Sequence, residues 1–423
     1  MNPLKVSLTS STKPKYFKNS ESIKKGNREG KTLFFQILKE KVTDEITNFD
    51  SFKISNPKKI KLIIITELVK IFFIKYQHFY ILKLKGGFII NKTYAKAKEF
   101  IKDTYKVFIV FIIAQIFLVF PLNYYIDKPG GIIDISDKIE IKNKPKNKGS
   151  LNFAYVLEGR ATPFTFLLAK FNKDHKIIKK SDIVYDNETI KNMNFRDHLL
   201  LEEANDNATI VAYKKLNKNI KIKEEKLFVT YIDKIANTNL KIEDQIIEIN
   251  GNKIKSRNEL QDLASKLKEN DKIIIKVKNN KKTYERYAVI KKEKDKAVIG
   301  IMVSTDRIFE TNPELKIKTE ESESGPSGGL MMSLSIYNAI SKEDITKGRK
   351  IVGTGTIDEN GKVGPIGGIE FKLKGAVKEK ADIFLVPAGK NYDDAIKLKK
   401  ERNYKIKIKK ISTFNEALKY LKK

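Results

Sequence analysis

Residues 107–126, VFIVFIIAQIFLVFPLNYYI, contain no Asp, Glu, Lys or Arg. A helix of roughly twenty residues rises about 30 Å, the thickness of a bilayer's hydrocarbon core. Core helices of globular domains rarely run this long without a charge. The stretch therefore reads as a single transmembrane helix. Tyr124 and Tyr125 stand at one end, where aromatic rings favour the interface, and Pro121 lies near that end, where it is tolerated. Lys92, Lys96, Lys98, Lys102 and Lys106 precede the stretch. Lys128, Lys138 and Lys142 follow it, diluted by Asp127, Asp134, Asp137 and Glu140. The lysine excess on the N-terminal side predicts a cytoplasmic N-terminus, with residues beyond 127 outside the cell membrane. The late start and the lack of a small-x-small site speak against a cleaved signal peptide.

The chain has 423 residues, room for about two or three domains. It has no cysteine, which excludes a disulfide scaffold, thiolate zinc sites and a cysteine nucleophile. Three histidines (His78, His175 and His198) leave little room for a His-rich metal site, and no metal or cofactor is expected. Lys+Arg outnumber Asp+Glu by 84 to 52, a net +32. Such a charge suits a nucleic-acid or anionic-membrane binder, or a lysine-rich coding bias spread over ordinary surfaces. No aromatic-basic motif or helix-turn-helix accompanies it, so nucleic acid is not an expected partner. Residues 1–106 hold 23 Lys+Arg against 9 Asp+Glu, or +14, on the side expected to be cytoplasmic. Within them, residues 1–31 look disordered. Residues 60–90 are apolar but broken by Glu67, Lys70, Lys75, Lys83 and Lys85. They suit either an amphipathic segment on anionic lipid or an extension with no fold of its own.

Beyond a charged spacer at residues 142–150, residues 143–225 read as an external α/β region without evident chemistry. Residues 226–292 are more telling. Strand patterns at 227–232 and 244–249 are followed by an Asn250-Gly251 turn. A capping box, Ser256-Arg257-Asn258-Glu259, opens a helix with Leu260, Leu263 and Leu267 on one face. A hairpin around Asn279-Asn280 closes the unit. This order resembles a PDZ domain of the circularly permuted kind attached to bacterial proteases. The resemblance implies capture of an extended peptide along a sheet edge, with Leu227, Phe228 and Val229 near the carboxylate-binding loop. The usual glycines are missing there.

The chemistry lies in two motifs near the C-terminus. In Gly325-Pro326-Ser327-Gly328-Gly329, the glycines allow a sharp turn that would set Ser327 at a helix N-terminus, with backbone amides near its hydroxyl. Such a loop suits an oxyanion hole. In the second motif, Gly364-Pro365-Ile366-Gly367-Gly368 leads into a helix with Ile369, Leu373, Ala376 and Val377 on one face. Lys372 sits at the edge of that face, unlike the outward Lys374 and Lys378. A desolvated lysine favours its neutral amine, and its pKa must fall from about 10.4 to roughly 7–8 to serve as a base at neutral pH.

Ser327 followed by Lys372, with Thr354-Gly355-Thr356 between them, closely resembles the proteolytic domain of Lon-type Ser–Lys proteases, over residues 297–423. Anchor, PDZ unit and proteolytic domain follow the order of the membrane-anchored Lon-like proteases of Gram-positive bacteria. The resemblance implies a serine endopeptidase in which Ser327 attacks, Lys372 moves the proton and Thr354 hydrogen-bonds near the lysine. Gly325, Pro326 and Gly328 would shape the nucleophile loop. The family pattern has alanine where Gly328 stands, a departure expected to loosen the helix start. Peptides or proteins would be the substrates, membrane lipid a partner, and a homo-oligomeric ring such as a hexamer the assembly. The implied fold class is α+β multidomain: transmembrane helix at 107–126, PDZ-like domain at 226–292 and Lon-type α/β domain at 297–423. No G-x-x-x-x-G-K-[ST] loop occurs, so cleavage is expected to need no ATP. The alternatives are a catalytically inactive membrane-tethered peptide binder and a trypsin-like protease using His175 or His198.

Overall fold

The computed structural model describes residues 90–423 except 143, 186, 187, 294, 295 and 342. The segments at 1–31 and 60–89 discussed above lie outside the described residues. The chain divides into two compact units at Lys106/Val107.

Helix α1 covers Ile90–Val119. Strands β1 (Tyr124–Asp134) and β2 (Ser150–Arg160), helix α2 (Pro163–Phe171), strand β3 (Lys176–Lys179) and the long helix α3 (Ile190–Lys215) follow. Next come β4 (Asn219–Ile232), β5 (Gln245–Ile249), α4 (Arg257–Ala264), β6 (Lys272–Asn279), β7 (Lys282–Val289) and β8 (Ile301–Asn312). The chain ends with α5 (Gly329–Ile340), β9 (Lys350–Gly353), α6 (Ile369–Lys378), β10 (Ile383–Pro387), α7 (Lys390–Glu401), β11 (Lys407–Ile411) and α8 (Phe414–Lys422).

The expected transmembrane span is corrected at its C-terminal end. Proline disfavours helical backbone at the residue before it, and the helix stops short of Pro121. Phe120 donates the last helical bond, to the Ile116 carbonyl at 2.9 Å. Tyr124, Tyr125 and Ile126 belong to β1 and pair with β2 and β3. The uncharged helical part, residues 107–119, rises about 20 Å. Among the described residues, no helix is long and apolar enough to cross a membrane.

The larger sheet runs β11-β10-β9-β2-β1-β3. Its C-terminal strands and the β9/β2 junction are parallel, whereas β1 pairs antiparallel with both its neighbours. Residues alternate between faces, as the pleat requires. Ile351, Ile383, Leu385 and Ile411 enter one core with α3, α5 and α8. Val352, Phe384 and Val386 enter the opposite core with α6 and α7. The result is a helix–sheet–helix sandwich. The sequence reading separated residues 143–225 from the proteolytic domain beginning at 297. The pairing removes that boundary: Leu151 stands beside Ile351, and Phe153 beside Gly353. Residues 124–215 are the first half of the same fold.

Between the halves, β4 and β8 form a long antiparallel ribbon that carries a second, wholly antiparallel sheet ordered β8-β4-β5-β6-β7. Its core comprises Leu227, Val229, Ile246, Ile249, Ile273, Ile275, Val277 and Leu260 of α4. Asn250 and Gly251 take positive φ, as an Asn-Gly turn requires. The next hairpin turns one residue later than expected, at Asn280-Lys281, with Asn279 paired to Lys282.

The ribbon is fixed to α3 by buried charge. The Arg307 guanidinium meets Glu225, Glu359 and Asn207, and its backbone N–H donates to Asp206. Burial pushes the Asp206 carboxyl up to about 8, despite the opposing charge of Arg307. Beside them, Arg257 donates to Glu203 at 2.6 Å and to the Val303 carbonyl at 3.0 Å. Removing one member of such a network leaves the others buried and unpaired. Arg307→Ala is therefore expected to cost about 3–5 kcal/mol, read as a lower urea midpoint at unchanged m-value. An unchanged midpoint would show that the network is not what fixes the ribbon.

Candidate active site

Three side chains from three segments converge on one point. Ser327 lies in the single 3-10 turn Pro326–Gly328 that leads into α5. Thr354 follows β9, and Lys372 projects from the first turn of α6. Lys372 Nζ is 2.6 Å from Ser327 Oγ and 3.2 Å from Thr354 Oγ1. Thr354 Oγ1 in turn donates to the Ser327 carbonyl at 3.0 Å. Because the threonine proton is committed there, its lone pairs face the lysine. The hydroxyl thus fixes where Nζ sits.

Backbone geometry holds the serine in place. Gly325 has φ +81°, a left-handed value that favours glycine, and its N–H donates to the Asp197 carbonyl of α3 at 2.9 Å. The Ser327 carbonyl accepts from Gly355 N–H at 2.8 Å, and Leu330 N–H donates to the Gly355 carbonyl at 3.0 Å. The nucleophile loop is thereby stitched to the segment that carries Thr354. Gly328 and Gly329 differ in kind. A Cβ on Gly328 would lie 3.7 Å from Phe153, an ordinary contact, and its φ of −88° suits any residue. The alanine of the family pattern would fit there. A Cβ on Gly329 would come within 2.8 Å of Ile357.

Lys372 is set by the turn before it. Gly368 is left-handed at φ +66°, and a Cβ there would lie 2.7 Å from Val156 of β2. Asn391 of α7 grips the preceding turn through both amide groups, accepting from Ile366 N–H and donating to its carbonyl, each at 2.9 Å. Lys372 is only 4% exposed. Burial alone pulls its ammonium down to about 8. The arrangement provides a hydroxyl hydrogen-bonded to an amine that loses its proton near neutrality, which is the requirement for an activated serine nucleophile.

Other expected site residues are placed differently. Leu227 and Val229 are fully buried in the smaller sheet's core, and Phe228 stacks edge-on against Phe195 at 5.8 Å. Their strand, β4, is paired on both edges, with β8 and β5. It has no edge to offer a peptide, so the assignment of these three residues to peptide binding is corrected. The open groove lies instead between α4 and residues 298–303. It is a cleft of about 470 Å³ lined by Leu260, Ala264, Leu267, Ile299, Ile301 and Met302, among others. His175 and His198 belong to β3's approach and α3, and neither hydrogen-bonds Ser327. The supporting residues Phe153, Val156 and Asp197 escaped the sequence reading, since strand and helix periodicity there carries no motif.

Residues 234–422 match the family described as the Lon protease (S16) C-terminal proteolytic domain. The Lon protease of Campylobacter jejuni is 35% identical over 97 residues, which cover 23% of this chain and 12% of that protein. Two solved structures align over 20% of this chain. One is the PDZ domain of an SdrC-like protein from Listeria monocytogenes, at 25% identity and TM-score 0.18, covering 92% of that chain. The other is the second domain of a Listeria protein, at 26% identity and TM-score 0.17, covering 87% of that chain. Residues 234–422, a little under half of the chain, are thus similar to the proteolytic domain of a Lon-type serine peptidase, and the chain spans only a small part of the length of the Lon protease it matches.

Proposed function

We infer that this chain is a serine endopeptidase working through a Ser327–Lys372 dyad. The observation that carries the reading is the 2.6 Å contact between Ser327 Oγ and a buried Lys372 whose ammonium is destabilised. Neutral Lys372 takes the proton as Ser327 Oγ attacks the scissile carbonyl. Backbone amides at the start of α5 receive the oxyanion, in a loop held by Gly355. Lys372 returns the proton to the leaving amine, then activates the water that hydrolyses the acyl-enzyme. Thr354 is a positioning residue that keeps Nζ in line with the serine.

Two finer statements belong to the same proposal. Cleavage requires no ATP, because all three groups meet within this chain and no phosphate-binding loop occurs in it. The smaller sheet serves as a PDZ-like module that receives an extended peptide in the groove beside α4. In support of this, residues 301–303 lie on the sheet's outermost strand. We also place the protein at a membrane surface, as the lysine excess before residue 107 suggests. The exposure of Val107, Val110, Ile113 and Ile116 supports the membrane placement. The alternative of an inactive peptide binder is disfavoured by the intact dyad contact.

Unstructured peptides should be cut by the full chain without ATP. Ser327→Ala and Lys372→Ala should each lose at least about a thousandfold in kcat. Equal turnover by all three proteins would falsify the dyad. Thr354→Val should lose less, and Thr354→Ser should recover most of the rate; a valine variant with wild-type kcat and pH profile would remove Thr354 from the mechanism.

The pH dependence has a definite sign. The base must be neutral, so kcat should rise through about pH 8 and level off above it. The same shift bears on stability. The folded protein holds the Lys372 proton more weakly than the unfolded chain, so the destabilisation is complete below pH 8 and fades as pH rises toward 10.5. Lys372→Met should therefore be inactive yet more stable at pH 7, by up to about 3 kcal/mol, less what the lost hydrogen bonds contributed. Thermal melts of the variant at pH 7 and pH 10 would test this: a gain that fails to shrink at the higher pH contradicts it.

A further inference from the structure

Helix α2 has two apolar faces. Thr162 caps it through a reciprocal box with Thr165, and Pro163 opens its first turn, so its start is fixed by sequence. Phe166 and Ala169 point inward, against Ile126, Ala161, Tyr124 and Ile177. Phe164, Leu167, Leu168 and Phe171 stand at i, i+3, i+4 and i+7, a spacing that defines one helix face. That face is turned to solvent: the four side chains are 39%, 47%, 49% and 82% exposed. Scattered exposed hydrophobics are ordinary, but a full stripe of large side chains on one short helix marks an interaction surface.

Two observations identify what covers it. The first is continuity. Phe164 meets Phe117 of α1 edge-on at 6.0 Å, so the stripe runs directly into the exposed apolar end of that helix. There Val110, Ile113, Ile116, Phe117, Leu118 and Phe120 are also exposed. The second is charge. Lys170, Lys173, Lys176 and Lys179 follow on and beyond the same helix, all exposed. Of the nearby acids, Asp174 is already met by Lys374 at 2.8 Å and by Arg402, and Glu370 lies 3.9 Å from Lys176, which leaves Lys170, Lys173 and Lys179 to edge the face. An apolar face edged by lysines complements an anionic lipid surface.

We propose that α2 is a lipid-docking helix that lays Phe164, Leu167, Leu168 and Phe171 on an anionic bilayer beside the apolar end of α1. This rests on the membrane placement proposed above and adds a second contact that orients the catalytic unit. The orientation narrows the substrate. Strand β2 joins α2 to the site, since Val156 touches the Gly368 turn and Ala161 pairs with Leu122 and Tyr124. Five residues of strand span about 17 Å. A docked α2 would therefore keep the Lys372 turn within about that length of chain from the residue that precedes the docked helix, close enough to act on substrate segments near the bilayer surface.

The chain has no cysteine, so single labels can be placed cleanly. The full chain would carry an environment-sensitive dye at Phe171→Cys or, as control, at Lys281→Cys in the distant hairpin turn. Each would be mixed with phosphatidylglycerol vesicles, with and without brominated acyl chains. The expected result is a blue shift and bromine quenching at position 171, neither at 281, and co-flotation of both proteins. Leu167→Ser with Leu168→Ser should weaken vesicle binding about tenfold while leaving cleavage of a soluble peptide unchanged. Co-flotation without a change at position 171 would overturn the docking of α2 and leave the membrane placement standing. Failure to co-float would overturn both. A dye shift that grows with protein concentration in the absence of vesicles would assign the stripe to a second copy of the chain, and would also overturn the proposal.

Discussion

The site depends on one unfavourable act, the burial of an amine without a carboxylate beside it. Lysine keeps its proton in water, and only desolvation makes it surrender that proton near neutral pH. Everything around Lys372 serves to impose that burial. Gly368 lets α6 begin tight against β2, and Asn391 locks the turn that precedes it. Leu373 and Ala376 anchor the same helix in a core shared with Val352 and Phe384. An acid placed next to the amine would relieve the cost and also abolish the base. The hydroxyls of Ser327 and Thr354 are a compromise, since they satisfy the nitrogen without holding its charge.

The same logic explains why the two halves of the larger sheet belong together. Ser327 and Thr354 come from the second half, whereas Val156 and Asp197, which press against the lysine turn and the serine loop, come from the first. The smaller sheet between them leaves and returns through adjacent strands of one ribbon, so it interrupts the chain without interrupting the sandwich.

How much of this the sequence disclosed follows from how local each signal is. Ser327, Thr354 and Lys372 lie in short glycine-rich motifs whose chemistry can be read without knowing what packs on them. Phe153, Val156 and Asp197 act through position alone, and position is decided by pairing across about two hundred residues. Alternating hydrophobicity identified β4 as a strand, but alternation does not say whether a strand lies inside a sheet or at its edge. Leu227 and Val229 fit the pattern of a binding surface but are core. Hydropathy likewise carried the apolar run at 107–126 past Pro121. The residues beyond the proline are apolar because β1 is buried in the sheet, not because the helix continues.

The parallel pairing of β2 with β9 has a consequence for how the protein is made. Leu151 waits for Ile351, so the inner edge of the first half-sheet is synthesised long before its partner. At ribosomal rates of about 5–20 residues per second, that edge stands open for roughly ten to forty seconds. The intervening module is wholly antiparallel and contains both strands of its ribbon, so it can close on itself before β9 is made. Its insertion point thus converts a spatial arrangement into a schedule: the smaller sheet is finished first, and the Ser–Lys pair cannot assemble until the second half of the sandwich has emerged.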